Sequence, residues 1–280
     1  MGVAASKRDR RSDAQASADM ATATNTVVWH DLECGFYAAD LTLWRELAEL
    51  ASEHGVPARI LDVGSGTGRV TLDLAAAGHE VTALDLDAEL LGALNARAAD
   101  ADLAVETVRA DARTFDLGDD FALCVVPMQT IQLLGGAAGR TAFLKRARAH
   151  LRPGALVACA IVTELDPFDC AHGDIGPSPE VARLNGLEYI SRATSVQVRR
   201  RVIRIERERR VLHIYKSARV ATTVRALDAP EPERDVIELD RVSVLRLQRE
   251  ARSAGLSAMG VREIPSTDEH VGSDVVILRA

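Results

Sequence analysis

Residues 60–69 read Ile-Leu-Asp-Val-Gly-Ser-Gly-Thr-Gly-Arg, and this stretch sets the fold of the 280-residue chain. An apolar run meets the acidic Asp62, and glycines follow at positions 64, 66 and 68 before a helix-forming segment. Glycine permits a sharp turn and a close approach of the backbone to a ligand that a Cβ would block. The first N–H groups of a helix are free to bind polar ligand atoms. The stretch therefore predicts a strand, a tight turn and a helix that together hold a nucleotide-like ligand.

Apolar strands alternate with helical segments along most of the chain. We predict strands over 58–63, 79–84, 103–108, 121–126 and 155–162, and helices over 40–54, 67–77, 88–99 and 138–151. This alternation is typical of a parallel sheet that helices cover on both faces. Right-handed crossovers then give a doubly wound α/β sheet, with the ligand beyond the carboxyl ends of its strands. A helix over 242–254 and a hairpin of strands over 259–264 and 275–278 complete one edge of the sheet.

The alternation stops after the fifth strand. Residues 164–179 are rich in proline, aspartate and glycine and predict a loop, whereas 194–224 are rich in β-branched residues and arginine. We expect two or three antiparallel strands there, with a hairpin near Glu208 to Arg210. Because the α/β pattern resumes afterwards, we expect an inserted β-rich cap over about 164–240 within one domain of residues 27–280. We expect the polar, alanine-rich residues 1–26 to form a disordered tail.

Composition limits the classes of function and setting. The formal net charge of −7 argues against a general binder of polyanions. Four cysteines at positions 34, 124, 159 and 170 include no Cys-x-x-Cys pair, so we expect reduced thiols and a cytoplasmic protein. No apolar run is long enough to cross a bilayer, so we expect no membrane association. The oligomeric state, monomer or homodimer, stays open.

Acidic residues also stand at the ends of the second and third predicted strands. Asp85 ends the second strand, where a carboxylate can accept two hydrogen bonds from a ribose diol. Asp111 and Ala112 follow the third strand, where a carboxylate can accept from an adenine amino group and a backbone N–H can meet a ring nitrogen. Because parallel strands end at the same edge of a sheet, we expect Asp62, Asp85 and Asp111 to converge on one crevice.

These features resemble the class I methyltransferases that use S-adenosyl-L-methionine and release S-adenosyl-L-homocysteine. Residues 60–69 resemble the family's first motif, 81–86 its acidic ribose motif and 108–112 its adenine-edge motif, while 125–129 stand at its fourth motif. The resemblance implies a seven-stranded, mostly parallel Rossmann-like sheet with an antiparallel last strand. It also implies that Trp29 to Tyr37 cover the methionine end of the cofactor. The cofactor-binding residues that it implies are Tyr37, Asp62, Gly64, Ser65, Gly66, Gly68, Asp85, Leu86, Asp111, Ala112, Pro127 and Met128.

Several alternatives stay open for these positions. The nearest competitor for the glycine turn is a nicotinamide dinucleotide site, whose fingerprint is G-x-G-x-x-G, whereas the glycines here alternate strictly. Asp62 either binds the cofactor's amino group or satisfies donors of its own loop, and Asp85 either binds ribose or caps a helix. Asp111 is alternatively a loop carboxylate, and Tyr37 a core aromatic.

The acceptor half of the site is less defined by sequence. Methyl transfer from a sulfonium centre is an in-line displacement, and a general base is needed only for a protonated acceptor. The catalytic candidates are Gln129, which follows the fourth strand, and His172, which lies in a loop beside carboxylates. Alternatively, this loop is solvated and has no catalytic role. We expect no metal and a small-molecule acceptor that the cap selects. The arginine-rich ribbon 199–210 keeps an RNA methyltransferase open as an alternative. A further alternative is a protein that binds S-adenosylmethionine without transferring its methyl group.

Overall fold

The computed structural model describes residues 25–53, 55–118, 120–163, 168–169, 179–199, 201–216, 223–225, 231–267 and 271–280. The expected tail 1–26, apart from its last two residues, and most of the predicted loop 164–179 lie outside these ranges.

The helices are α1 (Asn25–His30), α2 (Leu41–Ala51), α3 (Arg69–Ala76), α4 (Ala88–Asp100), α5 (Gly136–Ala149) and α6 (Val244–Ser253). A π-helical turn (Asp31–Gly35) follows α1, and a 3-10 turn (Thr130–Leu133) precedes α5. The strands are β1 (Arg59–Val63), β2 (Glu80–Asp85), β3 (Val105–Arg109), β4 (Phe121–Val126), β5 (Leu151–Ile161), β6 (Phe168–Asp169), β7 (Glu180–Leu184), β8 (Leu187–Arg199), β9 (Val202–Lys216), β10 (Thr223–Arg225), β11 (Glu233–Asp240), β12 (Ser257–Ile264) and β13 (Ser273–Arg279).

Seven strands form the main sheet in the order β12-β13-β5-β4-β1-β2-β3. Strands β1 to β5 pair in parallel, whereas β13 runs antiparallel to β5 and to β12. The predicted doubly wound, mostly parallel α/β sheet with an antiparallel last strand is confirmed. The strand order reverses between β1 and β4, and such a reversal opens a crevice beyond the carboxyl ends of the two strands.

The core lies on both faces of this sheet. All six residues of β4 are buried, as expected for a central parallel strand. Helices α2 and α3 pack on one face through side chains such as Trp44 and Leu74. Helices α5 and α6 pack on the other through side chains such as Phe143 and Leu247. The sheet thus holds the carboxyl ends of its strands at one rigid edge.

The fifth strand begins earlier than predicted. Residues 152–154, which lie between the predicted helix and the predicted fifth strand, belong to β5, which starts at Leu151 and pairs with Phe121. The register then shifts before Leu123 pairs with Leu156. This irregularity accommodates the proline and glycine of the segment, with Gly154 at φ +84°.

An antiparallel sheet is inserted between β5 and α6, as predicted, but its hairpins lie elsewhere. Glu208 and Arg210 lie inside β9 and pair with β8, so the predicted hairpin at 208–210 is wrong: β8 ends at Arg199, and the antiparallel β9 begins at Val202. The charged residues of β9 are compatible with a strand because they form ion pairs within β9 and with the neighbouring strand β11. The sheet also begins earlier, at β6, which pairs with β8, so the predicted loop 164–179 contains a short strand. Asn185 and Gly186 form a tight turn with φ of +50° and +78°, which makes β7 and β8 a hairpin. Asn-Gly is a strong hairpin signal, and it was missed.

Two buried side chains fix the ends of the insertion to the main sheet. Gln132 donates to the carbonyls of Val162 and Asp240 at 3.2 and 3.1 Å, and accepts from the Val162 N–H at 2.8 Å. Arg140 is fully buried and pairs with Asp240 and Glu250. Because Val162 precedes the insertion and Asp240 ends β11, these contacts set where the inserted sheet leaves and rejoins the main sheet.

Cys34, Cys124 and Cys159 carry free thiols, and Cys170 lies outside the described residues. In the part of the chain that the structure describes, no helix is long and apolar enough to span a membrane. Within the same residues, no group of three or more histidine, cysteine or acidic side chains is arranged to bind a metal ion.

Candidate functional site

A cleft of about 610 Å³ opens at the carboxyl ends of the parallel strands, between the main sheet and the inserted sheet. A cleft of this size suits a cofactor together with part of a small substrate. The predicted site residues that line it are Asp62, Gly64, Ser65, Asp85, Leu86, Asp111, Ala112, Pro127, Met128 and Gln129. Tyr37, Gly66 and Gly68 do not line it, and His172 lies outside the described residues.

Asp62 is the most buried acid of the cleft, with no exposed surface. Thr71 on α3 donates to Oδ2 at 2.6 Å, whereas Oδ1 has no hydrogen-bond partner among the described residues. Burial raises the pKa of Asp62 to about 6. An unpaired buried carboxylate oxygen is costly, so this oxygen is poised for a donor that a ligand brings.

Asp85 joins the end of β2 to the glycine turn. Its Oδ2 accepts from the Gly66 N–H at 2.8 Å, and its Oδ1 accepts from the Asp87 N–H at 3.0 Å. Asp87, not Asp85, caps α4, since its side chain accepts from the N–H groups of Glu89 and Leu90. A carboxylate has further lone pairs, so Asp85 can still accept hydrogen bonds from a ligand in the cleft.

Asp111 is paired with Arg113 two residues along. Arg113 donates to both carboxylate oxygens, at 2.9 Å to Oδ1 and 2.6 Å to Oδ2. These hydrogen bonds hold the pKa of Asp111 below its usual value. The charged form therefore prevails at neutral pH, and a ligand donor at this position shares the carboxylate with Arg113.

The three glycines of the turn have positive φ, at +74°, +55° and +95°, which explains why other residues are disfavoured there. The space of each missing Cβ is occupied by protein. A Cβ on Gly64 would overlap Thr130, one on Gly66 would overlap the ring of His30, and one on Gly68 would lie 2.7 Å from Leu94 Cγ. The missing Cβ atoms therefore make room for neighbouring side chains, while the close approach of a ligand to this backbone stays a prediction.

Tyr37 stands behind the cleft wall instead of in it. Its ring is buried, and Arg69 lies 5.2 Å from the ring centroid and donates to the Tyr37 carbonyl at 2.8 Å. Arg69 also binds both oxygens of the buried Asp40 and itself lines the cleft. A cation in the first turn of a helix opposes the helix dipole. An arginine in the first turn of the predicted helix therefore indicates a function other than stabilising α3, and this signal could have identified Arg69 from the sequence.

The loop after β4 contributes backbone to the cleft. Pro127 ends the strand, and Met128 follows with φ +53°, a conformation that is strained for a residue with a side chain. Gln129 and Thr130 continue along the cleft into the 3-10 turn. Residues 127–130 thus border the space between the glycine turn and the inserted sheet.

The N-terminal segment closes one side of the cleft with residues that sequence analysis missed or left unassigned. His30, Glu33 and Cys34 line the cleft. Asp31 between them accepts from Thr67 Oγ1 at 2.7 Å and from Arg97, which ties the segment to the glycine turn and α4. Burial raises the pKa of Cys34 to about 11, so its thiol stays protonated at neutral pH.

The inserted sheet supplies the opposite wall. Arg207 and Arg209 on β9, with Glu233 and Asp235 on β11, line the cleft above the apolar side chains of Ile237 and Leu239. The guanidinium groups are shared among carboxylates. The contacts are Arg209 to Asp235 at 3.2 Å and to Glu233 at 3.6 Å, and Arg207 to Asp235 at 3.6 Å and to Glu33 at 3.4 Å. No sequence spacing relates these groups, because only strand pairing brings them together.

Known proteins are similar to this chain in the sequence of residues 60–154 and in the fold. Residues 60–154 match the model of a family described as a methyltransferase domain. A curated relative is the probable cobalt-precorrin-6B C(15)-methyltransferase (decarboxylating) of Methanothermobacter thermautotrophicus, 28% identical over 138 residues. That match covers 45% of this chain and 64% of the relative, so the chain spans less than two thirds of its length.

Three solved structures share the fold over nearly the whole chain. An S-adenosylmethionine-dependent methyltransferase from Clostridium acetobutylicum has a TM-score of 0.62 at 12% identity, covering 90% of this chain and 96% of its own. CalS10, an amino pentose methyltransferase from Micromonospora echinaspora, has a TM-score of 0.60 at 19% identity, covering 100% and 98%. The sugar N-methyltransferase KedS8 from a Streptoalloteichus species has a TM-score of 0.60 at 17% identity, covering 99% and 95%. With the strand order, these likenesses show that the chain has the fold of class I methyltransferases, with an antiparallel sheet inserted after the fifth strand.

Proposed function

We propose that this protein binds S-adenosylmethionine in the cleft and transfers its methyl group to a small molecule that bears an amine. The observation that carries the proposal is Asp62 Oδ1, a fully buried carboxylate oxygen without a hydrogen-bond partner among the described residues. A buried anion of this kind is stabilised by a ligand that brings a cationic donor, and the amino group of the cofactor is one.

Other groups of the cleft fit the same cofactor. Ser65 Oγ is also buried without a partner in the described part of the chain. Asp85 has lone pairs left for a ribose diol, and Asp111 with Ala112 stands where the family resemblance places the adenine edge. Arg69 lines the cleft near the start of α3 and offers a cation for the cofactor carboxylate. The fit thus involves the ends of three consecutive parallel strands.

The chain's own residues act in the transfer by positioning and by excluding water. When bound, S-adenosylmethionine supplies a methyl group that its sulfonium centre has already activated. The backbone at Met128 and Gln129 borders the space between the glycine turn and the inserted sheet. Ile237 and Leu239 give that space an apolar wall, which limits access of water. Orientation of an acceptor in such a space can contribute about 7–11 kcal/mol to lowering a barrier.

The charges of the N-terminal segment and the inserted sheet together favour an amine acceptor. Glu33 on the segment and Glu233 and Asp235 on β11 carry three negative charges, against the two positive charges of Arg207 and Arg209 on β9, which leaves one negative charge in excess. Glu233 and Asp235 are 57% and 30% exposed, so they remain accessible to a ligand. A cationic acceptor offsets the excess charge. The names of two proteins of the same fold, an amino pentose methyltransferase and a sugar N-methyltransferase, support this acceptor class.

The arginines of β9 do not form a free cationic surface for RNA. Arg204 pairs with Glu238 at 3.0 Å, Arg209 with Glu33 at 2.8 Å, and Arg210 with Glu208 at 2.7 Å. Arginines that are already paired with carboxylates displace few counterions from the phosphates of RNA, so they contribute little to RNA affinity. The geometry therefore favours the small-molecule function over the RNA alternative.

Calorimetry with S-adenosylhomocysteine tests the cofactor half. We expect the wild-type protein to bind it, and Asp62→Asn to weaken binding about tenfold or more, since the amide replaces a charged acceptor with a donor. The matched control is Asp73→Asn on α3, whose carboxylate pairs with the surface residue Arg45 and should leave the affinity unchanged. A wild-type protein that does not bind S-adenosylhomocysteine contradicts the proposal.

Label transfer tests the acceptor half. The protein is incubated with methyl-labelled S-adenosylmethionine and, separately, with small-molecule amines, amine-free alcohols and phenols, and total RNA. We expect label in the amine pool alone. Label in the alcohol or RNA pool contradicts the amine acceptor, and binding of cofactor without any transfer identifies a non-catalytic binding protein.

A further inference from the structure

His30 occupies a position that the proposed activity leaves unexplained. Its ring lies directly on Gly66, where any Cβ would overlap Nε2 and Cε1, and the residue lines the cleft. Side chains of α1 therefore reach the centre of the glycine turn instead of covering it from outside. A histidine pressed against the turn that meets the proposed cofactor is placed to contact that cofactor.

Hydrogen bonds fix which ring nitrogen of His30 carries the proton. Thr67 Oγ1 donates its single hydrogen to Asp31 Oδ1 at 2.7 Å, because a carboxylate only accepts. The contact of 3.3 Å between Thr67 Oγ1 and His30 Nδ1 therefore has Nδ1–H as its donor. Arg97 in turn binds Asp31, which holds the chain of hydrogen bonds in this direction. In the neutral ring Nε2 is then a free acceptor, without a partner among the described residues.

Burial keeps the His30 ring neutral at physiological pH. Burial lowers its pKa, which the carboxylates of Asp31, Asp85 and Glu33 only partly oppose, while Arg97 lowers it further. These four groups come from the N-terminal segment, β2 and α4, so they surround the ring on the sides packed against it. Nε2 thus presents a lone pair at neutral pH.

The position of Nε2 relative to Asp85 identifies the ligand group. The Gly66 N–H donates to Asp85 Oδ2 at 2.8 Å, while the His30 ring lies on the same glycine. Nε2 and the Asp85 carboxylate are therefore two acceptors that contact one residue. A vicinal diol offers two neighbouring donors for two acceptors on one side of the glycine turn, and the ribose of the cofactor carries such a diol.

We propose that His30 is a cofactor-binding residue, whose Nε2 accepts a hydrogen bond from one ribose hydroxyl while Asp85 accepts from the other. This inference rests on the proposed function, since it requires an adenosyl ligand in the cleft. The other acidic groups proposed for the site stand at the ends of parallel strands. His30 would add a ribose contact from the helix α1.

Calorimetry with S-adenosylhomocysteine and its 2′-deoxy and 3′-deoxy counterparts tests the contact. His30→Asn keeps a donor near the position of Nδ1 but removes Nε2, whereas His30→Gln places a polar atom near Nε2. We expect His30→Asn to weaken binding of S-adenosylhomocysteine about 5- to 20-fold, and His30→Gln to restore part of the loss.

The deoxy ligands separate a direct contact from a general loosening of the segment. In the wild-type protein the loss of each hydroxyl weakens binding, and we expect one of the two losses to shrink to within about twofold in His30→Asn. Unchanged affinity of His30→Asn, or equal losses for both deoxy ligands in the variant and the wild type, overturns the inference alone. Failure of the wild-type protein to bind S-adenosylhomocysteine overturns it together with the proposed function.

Discussion

Arg209 on β9 donates from Nε and Nη2 to the two oxygens of Glu33 in the π-helical turn, both at 2.8 Å. Ser191 on β8 donates to the same carboxylate at 2.7 Å. The side chains of Glu33 and Arg209 are only 5% and 15% exposed, and both residues line the cleft. Since Asp31, two residues earlier, binds the glycine turn and α4, the π-helical turn connects the glycine-turn side of the cleft to the inserted sheet.

Glu33→Gln should lower the free energy of unfolding by about 2–3 kcal/mol at neutral pH. This is less than the ~3–5 kcal/mol for breaking a fully buried pair, because Arg209 keeps Asp235 as a partner. Burial alone raises the pKa of Glu33, but hydrogen bonds from Arg209 and Ser191 and the charge of Arg207 outweigh it and hold the pKa below its usual value. Urea unfolding of the wild type and the variant measures the difference.

A pH series checks the cause of that difference. A carboxylate with a lowered folded pKa stabilises the protein above its unfolded pKa, and this stabilisation is lost as the pH falls through the folded value. The gap between wild type and Glu33→Gln should therefore shrink in acid. The control is Glu206→Gln, an exposed residue 3.9 Å from Arg204, which should change stability by less than about 0.5 kcal/mol. A Glu33 variant as mild as this control contradicts the prediction.

The connection between Glu33 and Arg209 also shows where sequence analysis ends. Asp85 and Asp111 could be assigned to one crevice because each follows a parallel strand, and parallel strands end at the same edge. Glu33 and Arg209 are 176 residues apart, and no local pattern pairs them. Their meeting depends on the register of β8 and β9, which was predicted with its hairpin in the wrong place.

The glycine turn shows a second limit of sequence analysis. Alternating glycines predicted the tight turn correctly, because backbone sterics are local, and all three glycines have positive φ. Which atoms fill the space beside each glycine is decided by distant residues such as His30 and Thr130. Side chains that approach from other elements are invisible to motif spacing.

Asp62→Asn should stabilise the protein without ligand by about 1–3 kcal/mol at pH 7.5. Burial raises the folded pKa of Asp62 to about 6, so folding favours the protonated form, and this group destabilises the protein as the pH rises through that value. The amide carries no charge and removes this cost. The gain should be largest above pH 7 and vanish below about pH 3, where the carboxyl group of the wild type is protonated in both states.

Saturating S-adenosylhomocysteine should narrow that difference in stability, by about 1.3 kcal/mol for a tenfold loss of affinity. A ligand at about 100 times its Kd adds ~2.7 kcal/mol to a protein that binds it in the folded state. At the same ligand concentration Asp62→Asn gains less, because its affinity is lower. Thermal melts with and without ligand measure both effects. If the variant stayed more stable than the wild type by the same margin with ligand, Asp62 would have no part in binding.

Gly66→Ala should destabilise the protein by about 2–4 kcal/mol, from two separable costs. The residue has φ +55°, and the left-handed conformation costs a residue with a Cβ about 1–2 kcal/mol. The remaining cost comes from overlap of the new Cβ with the His30 ring. The matched control is Gly78→Ala, at φ +95° with open space around its Cβ position, which carries the conformational cost alone.

A double-mutant cycle isolates the contact with His30. In a His30→Ala background the cost of Gly66→Ala should fall to that of Gly78→Ala, as urea unfolding measures. Equal costs of Gly66→Ala in the two backgrounds would mean that the ring does not press on the turn.

Arg140→Met should lower the free energy of unfolding by about 3–5 kcal/mol at pH 7.5 and should loosen the return of the inserted sheet. Arg140 is fully buried and donates to Glu250 at 2.7 and 2.9 Å and to Asp240 at the end of β11. Its removal leaves two carboxylates without their shared cation, and uncompensated buried charge is what makes such changes costly. The control on the same helix is Arg146→Met, 32% exposed, which should cost about 1 kcal/mol or less.

The same variants separate loss of charge from loss of packing. Acid protonates unpaired carboxylates, so the deficit of Arg140→Met should shrink between pH 7.5 and 5, and adding Asp240→Asn and Glu250→Gln should recover part of it at pH 7.5. Limited proteolysis should cut the inserted sheet of Arg140→Met faster than that of Arg146→Met, because Asp240 holds the last inserted strand to the main sheet. Equal cleavage rates, with a deficit that does not change with pH, would mean that Arg140 acts through packing and not by anchoring the insertion.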